Sequence, residues 1–206
     1  MKFLLSLAVF AATWPAFAQG TSEAILGYSD SISGFVSTTA GWTFQSTNTL
    51  TATSLGCFAN VFVNNPAVTN IEVGLWNHSG VLMASNSVTL SSALLNQSRY
   101  ESITPVTLNA GQIYHLGVFY TGGSLGLDVV GSSLGGLVSA SADIQLDGTA
   151  LSTSGFTFPA QQTGTTGSIY AGPNFQYQRG VPEPSSLLLL GLGGLVLTAL
   201  RRNRGL

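Results

Sequence analysis

The chain has 206 residues, of which only 7% are charged and 45% are hydrophobic. Residues 19–180 contain two arginines and seven carboxylates, a net charge of −5, which excludes binding of nucleic acid or anionic lipid through a basic patch. The apolar fraction is too high for a disordered chain, and a segment of this length forms one domain with a real core.

Residues 1–18 are typical of a secretory signal peptide. Lys2 supplies a positive charge, Phe3–Ala12 forms an apolar stretch too short to span a membrane, and Ala16 and Ala18 form an A-x-A cleavage site. The pattern predicts export through the Sec translocon and cleavage by signal peptidase, so that the mature chain begins at Gln19.

Between residues 19 and 180 the sequence alternates short β-prone segments with turns rich in Gly, Ser and Asn. The clearest strand pattern is an alternation of period two, typical of a half-buried strand, in which the aliphatic positions are Ile71, Val73 and Leu75. The turn residues Asn77–Gly80 come next, and Val81–Ala84 then completes a predicted hairpin with a four-residue loop. No segment of this region has a convincing amphipathic helical pattern.

Further strands are predicted along the same region, with Thr104-Pro105 expected to end one strand before the next begins. Short strands at this spacing, separated by Gly-rich turns, predict an all-β fold, an antiparallel β-sandwich of jelly-roll or immunoglobulin type. The other β-prone positions and segments are Ile25, Leu26, Ile32, Phe35, Val36, Gly41–Phe44, Leu50–Phe58, Val61–Val63, Tyr100–Ile103, Val106–Leu108, Ile113–Tyr120, Leu127–Val130, Leu137–Ala140, Ile144–Leu146, Thr157, Phe158, Ile169–Tyr170, Phe175 and Tyr177.

The tail combines an extended motif, an apolar run and a basic end. Val181, Pro182, Glu183 and Pro184 form the motif, in which each proline disfavours helix for the residue before it. Residues 185–200 carry no charge and predict a transmembrane helix, slightly shorter than the usual span of about 20 residues. The basic residues after this run predict a cytoplasmic C-terminal end and act as a stop-transfer signal. They are Arg201, Arg202 and Arg204.

This tail resembles the PEP-CTERM sorting signal, which consists of a Pro-Glu-Pro motif, a Gly/Leu-rich transmembrane helix and an Arg-rich end. The resemblance implies a substrate of exosortase, a membrane-embedded cysteine protease-transpeptidase of bacteria that make exopolysaccharide. It also implies a precursor in the inner membrane that moves to the cell surface or extracellular matrix. The expected division is a signal peptide (1–18), an exported domain (19–180) and the sorting signal (181–206).

The exported region has a second resemblance, to β-sandwich domains of uncharacterised exported PEP-CTERM proteins. It rests on segments such as Gly41-Trp42-Thr43-Phe44, Val73-Gly74-Leu75-Trp76 and Ala110-Gly111-Gln112-Ile113-Tyr114. Because that group has no agreed activity or active site, the resemblance implies a fold and no function.

Candidate chemical groups are few in this sequence. His78 and His115 are the only histidines, too few for a zinc site built on three or four converging side chains. Cys57 is the single cysteine and is interpreted as a buried apolar residue, with an intermolecular disulfide or a reactive thiol as alternatives. No spacing selects a catalytic pair among the carboxylates Glu72, Glu101, Asp128, Asp143 and Asp147, although a calcium ion between loops stays open. We therefore expect no catalytic residue, metal or cofactor.

Trp76 and Trp42 are candidate glycan contacts, because exposed aromatic faces stack on sugar rings. Trp76 is out of phase with Ile71, Val73 and Leu75, which predicts an exposed side chain beside a loop. Packing in the core or across strands is the alternative for both tryptophans.

Three classes of function are compatible with these patterns. The first is a non-enzymatic surface or matrix protein that is sorted by exosortase and associated with exopolysaccharide or biofilm. The second is a carbohydrate-binding module that uses exposed aromatic residues. The third is a secreted hydrolase, which the scarcity of candidate acids and bases disfavours.

Overall fold

A computed structural model describes residues 20–27, 38–64, 66–120, 129–130, 139–160, 169–170 and 172–180. The predicted signal peptide and the predicted transmembrane helix lie outside these ranges. Within them, no helix has the length and apolar character needed to cross a bilayer.

Two five-stranded sheets dominate the described chain, and all pairings between their strands are antiparallel. Sheet I has the strand order β1 (Ser22–Glu23), β14 (Pro173–Arg179), β4 (Leu50–Phe58), β8 (Ser98–Leu108) and β7 (Ala93–Leu95). Sheet II has the order β12 (Ile144–Leu151), β3 (Ala40–Ser46), β9 (Ile113–Phe119), β5 (Asn70–Asn77) and β6 (Leu82–Thr89). The predicted all-β antiparallel fold is thus confirmed.

Two smaller strand pairs and one short helix complete the described elements. β2 (Ile25–Gly27) pairs with β11 (Ser139–Ala140), and β10 (Val129–Val130) pairs with β13 (Ile169–Tyr170). The helix α1 (Asn60–Asn64) connects β4 of sheet I to β5 of sheet II. The chain passes repeatedly from one sheet to the other, so that residues distant in sequence meet in one core.

An aromatic cluster forms the centre of the core. The ring centroid of Phe44 lies 5.0 Å from that of Trp42, 5.1 Å from that of Phe175 and 5.6 Å from that of Tyr114. These four residues are buried, and β3 and β9 of sheet II contribute three of them while β14 of sheet I contributes the fourth. Tilted aromatic pairs of this kind stabilise a core by more than the burial of their apolar surface alone would.

Two local predictions in sheet I and its connection are wrong. Val61–Val63, predicted as a strand, forms part of α1, because one helical turn buries Val61 and Phe62 while it leads the chain between sheets. Pro105, expected to end a strand, lies inside β8. The register shifts there, since Ala52 pairs with Val106 and Ser54 with Ser102, and such an irregularity accommodates a residue without an amide hydrogen.

Residues 152–160, here called the covering segment, pass over the outer face of sheet II. The Thr39 hydroxyl donates to the carbonyl of Gly155 at 2.8 Å and accepts from the amide of Thr157 at 3.0 Å, which fixes the segment to the start of β3. Phe156 packs against Trp76, and Phe158 packs against His115. Thr157 and Phe158, predicted as strand positions, therefore cover the sheet instead of extending it.

Candidate functional site

The described chain ends beside the predicted sorting motif. β14 ends at Arg179, and the amide of Gly180 donates to the carbonyl of Thr49 at 3.1 Å. Val181, Pro182, Glu183 and Pro184 lie outside the described residues, as do Arg201, Arg202 and Arg204 and the predicted signal-cleavage residues Ala16, Ala18 and Gln19. Their assigned roles stay predictions.

A polar cluster, here called the C-terminal clamp, fixes the end of β14. The buried carboxylate of Asp143 accepts hydrogen bonds from Arg179 Nε at 2.8 Å, the Tyr177 hydroxyl at 2.9 Å and Asn48 Nδ2 at 2.8 Å. The Tyr177 hydroxyl also contacts the hydroxyl of Ser141. The clamp therefore joins the last described strand to the β3–β4 loop and to the start of β12.

The clamp favours the ionised form of Asp143. Burial alone would raise the pKa of this carboxyl, but hydrogen bonds from Arg179, Tyr177 and Asn48 together with the charge of Arg179 hold it below its ordinary value. The pKa of Tyr177 is raised, mainly by burial and in part by the neighbouring Asp143 carboxylate. The arrangement is a half-exposed ion pair in which the acid is buried and the arginine side chain is 59% exposed.

A second cluster, here called the N-terminal network, fixes the first described strands. The fully buried Asn174 side chain accepts from the Ile25 amide and donates to the Ile25 carbonyl, both at 3.0 Å. It also donates to the Tyr100 hydroxyl at 2.7 Å, and that hydroxyl donates to Glu23 at 2.6 Å. Asn96 donates to the other oxygen of Glu23. The side-chain amide of Asn174 thus satisfies the backbone amide and carbonyl of Ile25 in addition to the pairing of β2 with β11, and no sequence motif marks this role.

The predicted exposure of Trp76 is wrong, and Trp42 is buried as well. Trp76 lies on the outer face of sheet II, as its phase predicts, but it is only 3% exposed because Phe156 of the covering segment packs on it. A Cβ on Gly74 would lie 2.3 Å from the Trp76 ring, so glycine is needed for the indole to lie flat on the strand. Trp42 is in the core, where Nε1 donates to the Pro173 carbonyl at 2.9 Å. Neither ring offers a face for stacking on a sugar.

The two histidines, far apart in sequence, meet on the outer face of sheet II, where the central strand β9 passes the β5–β6 loop. His115 Nδ1 donates to the Pro159 carbonyl at 3.1 Å, and His115 Nε2 lies 3.2 Å from His78 Nδ1. His115 is buried, whereas His78 is exposed on the β5–β6 loop. Burial, with a smaller effect of the neighbouring His78, lowers the pKa of His115 despite the Pro159 hydrogen bond and the more distant Asp147.

The hairpin loop that carries His78 is fixed by local hydrogen bonds. Asn77 Oδ1 accepts from the Val81 amide at 2.9 Å and from the Ser79 hydroxyl at 2.8 Å. Gly80 has a φ of 86°, a conformation that glycine adopts without strain. The predicted hairpin has a four-residue loop, but the loop comprises residues 78–81 and lies one residue later than predicted; it holds His78 beside β9.

An open groove, here called the histidine groove, lies next to His78. Most of its lining consists of polar side chains that can donate or accept hydrogen bonds, and two apolar side chains complete the lining. The polar lining includes Asn77, His78, Thr107, Asn109, Gln112 and Tyr114, and the apolar residues are Met83 and Ile113. Among the described residues, no Asp, Glu, Lys or Arg lines this groove.

The other candidate groups have structural partners. Cys57 is buried in sheet I, and burial strongly raises the pKa of its thiol, an effect that the charge of Arg99 offsets only in part. Glu101 accepts a hydrogen bond from Ser92, and Asp143 belongs to the C-terminal clamp. Among the described residues, no group of three or more His, Cys, Asp or Glu side chains is placed to hold a metal ion. Asp128 lies outside the described residues.

The comparison with protein families identifies the tail. Residues 180–204 match the PEP-CTERM protein-sorting motif, which overlaps the predicted signal and begins one residue after β14 ends. No curated protein matches the chain significantly. The chain thus carries a PEP-CTERM protein-sorting motif, which implies an exported protein that exosortase sorts to the cell surface by way of the membrane.

Proposed function

We propose that the protein is a non-enzymatic component of the cell surface or extracellular matrix, delivered by exosortase and held there in association with exopolysaccharide. The observation that carries this proposal is the sorting motif at residues 180–204, directly after the last strand of the sandwich. The exported domain then serves as a stable folded unit that the sorting step moves from the inner membrane.

The short spacing between fold and motif supports a sorting step that acts on a folded domain. Gly180 is hydrogen-bonded to Thr49, so the fold extends to the residue directly before the motif. Residues 181–185 span at most about 18 Å when fully extended. In the proposed sorting step the folded domain is close to the bilayer, and the two prolines of the motif are predicted to favour the extended chain that a protease binds. The arginines at the far end oppose complete translocation of the tail.

The surface chemistry supports association with neutral polymer. Exposed positions on β6 and β8 include Ser85, Ser87, Ser102 and Thr104, and the whole chain has few charges. Hydroxyl and amide groups form hydrogen bonds with sugar hydroxyls without the desolvation cost of a charge. A net negative exported domain would also be repelled by polyanions.

Cell fractionation tests the sorting part of the proposal. The chain carries an epitope tag after the exposed Gly20 and is expressed in strains with and without exosortase. We expect the wild type to be shortened and to leave the inner membrane only when exosortase is present. A variant with Ala at positions 182, 183 and 184 should stay full-length in the membrane of both strains, and deletion of residues 185–206 should release unsorted protein. The same size and location for wild type and triple variant in both strains would refute the proposal.

A second experiment tests the association with polysaccharide. The amount of tagged protein in the surface fraction is compared between the producing strain and a strain without exopolysaccharide synthesis. We expect the processed protein to move into the culture medium when the polymer is absent. Equal retention in both strains would show that the protein is held at the surface by something other than exopolysaccharide. The proposed exosortase step would not be affected by that result.

A further inference from the structure

The histidine groove combines an oriented imidazole with uncharged hydrogen-bonding side chains at the surface. We propose that this groove binds a neutral polysaccharide segment, with His78 Nε2 as a hydrogen-bond acceptor for a sugar hydroxyl. This inference builds on the proposed function, because it names the site that contacts the polymer. It replaces the buried tryptophans as the expected place of glycan contact.

The hydrogen bonds of the two histidines determine which nitrogen of His78 is free. The Pro159 carbonyl can only accept, so His115 must carry its proton on Nδ1. A neutral His115 then has a lone pair on Nε2, and His78 Nδ1 must donate to it across 3.2 Å. A neutral His78 then keeps its own lone pair on Nε2.

A buried partner fixes the orientation of an exposed ring. His115 is packed against Phe158, with ring centroids 4.6 Å apart, and the rings of His78 and His115 are inclined by only 27°. The exposed imidazole thus loses less conformational entropy on binding than a free surface histidine would. In catalytic sites a general base is often held in position by a hydrogen bond from a neighbouring side chain, and the same arrangement here would prepare His78 for binding.

The chemistry of the groove selects the class of ligand. Within the described part of the chain, the side-chain amides of Asn109 and Gln112 form no hydrogen bond, although the backbone of both residues does. Amides, the Thr107 hydroxyl and an imidazole offer donors and acceptors that match the alternating hydroxyl groups of a sugar. Met83 and Ile113 supply apolar contact for its C–H face. Since no described residue of this lining is an Asp, Glu, Lys or Arg, the groove disfavours anionic or cationic ligands.

Binding by the exported, processed protein tests the site directly. The probes are dextran, mannan and galactan, with polygalacturonate as the anionic counterpart, in affinity electrophoresis and calorimetry. We expect at least one neutral polymer to retard the protein and polygalacturonate to have no effect. His78→Ala and Gln112→Ala should each weaken binding roughly threefold to tenfold, the effect of one lost hydrogen bond.

The control is Gln145→Ala, an equally exposed glutamine on the edge strand β12 outside the groove, which should bind as the wild type does. Nitrogen-15 spectra should show both histidines protonated at Nδ1 and a shift of the His78 Nε2 signal when the polymer is added. A His78 protonated at Nε2 in the free protein would refute the orientation. Binding to the producer's exopolysaccharide that both groove variants retain in full would refute the site while leaving the proposed function intact.

Discussion

The two ends of the exported domain are fixed by polar clusters of different construction. The N-terminal network is centred on Asn174, which is fully buried and satisfies the backbone of Ile25, and only its outer member Asn96 is exposed. The C-terminal clamp has a buried acid but an arginine at the surface, where water and salt reach it. Both clusters join residues that are far apart in sequence, but only the second has a charged side chain at the surface, where salt and pH act on it.

This difference is relevant to sorting, because the clamp is the cluster next to the sorting motif. Loss of the N-terminal network removes buried hydrogen bonds and affects the whole fold. Loss of the Arg179 contact removes a half-exposed ion pair, and an ion pair of this kind contributes little to the stability of the fold. The first end is therefore expected to respond globally and the second end locally.

The largest effect is expected for Asn174→Ala. The change leaves the amide and carbonyl of Ile25 and the amide of Phe175 without their side-chain partner in a buried place. We expect a loss of about 3–5 kcal/mol in the free energy of unfolding, measured by urea denaturation. The exposed Asn109→Ala serves as the control and should change stability by less than about 0.5 kcal/mol. Equal stability of the two variants would contradict a structural role for Asn174.

A smaller loss is expected for Asp143→Asn at pH 7. The neutral amide no longer attracts Arg179 and accepts a weaker hydrogen bond from the buried Tyr177 hydroxyl. We expect destabilisation of about 1–3 kcal/mol in the same assay, because the acid is buried while its cationic partner is half exposed. A variant as stable as the wild type would show that the clamp does not stabilise the fold.

The pH dependence of stability separates the charge of Asp143 from its packing. The folded-state pKa of this acid lies below its unfolded value, so its stabilisation is present above the unfolded pKa of about 3.9 and is lost as the pH falls through the folded value. The wild type should therefore lose more stability than Asp143→Asn between pH 5 and pH 2. Parallel curves for the two proteins would contradict the lowered pKa.

The sequence predicts elements that local patterns determine. β4 has the predicted bounds Leu50–Phe58, and the turn residues Asn77–Gly80 place the loop of the β5–β6 hairpin to within one residue. Alternation also placed Trp76 on the outer face of its strand. Its burial was missed because Phe156, eighty positions away, lies beside Thr157 and Phe158, where the pattern predicts a strand and not a segment that covers the sheet.

The clusters that define the two ends could not be predicted, because each depends on distant partners. Asn174 and Ile25 are 149 positions apart, and His78 and His115 are 37 positions apart. A single Asn, Tyr or His has no periodicity that reveals its partner, and the pairing depends on the strand order of both sheets. The sorting motif was found from the sequence because its parts are consecutive in the chain.

The smallest and most local effect is expected for Arg179→Gln. The substitution removes the ion pair with Asp143 at the surface, so the global stability should change little and the difference should shrink in about 1 M salt. The sensitive measurement is amide hydrogen exchange. Protection of the Gly180 amide, which donates to Thr49, should fall in the variant, while the Ile25 amide, held by Asn174, should exchange as in the wild type. An equal change in the exchange rates of both amides would contradict independent fixation of the two ends.

Local opening at Gly180 would also increase the distance between the fold and the sorting motif. We therefore expect Arg179→Gln to be processed faster in cells.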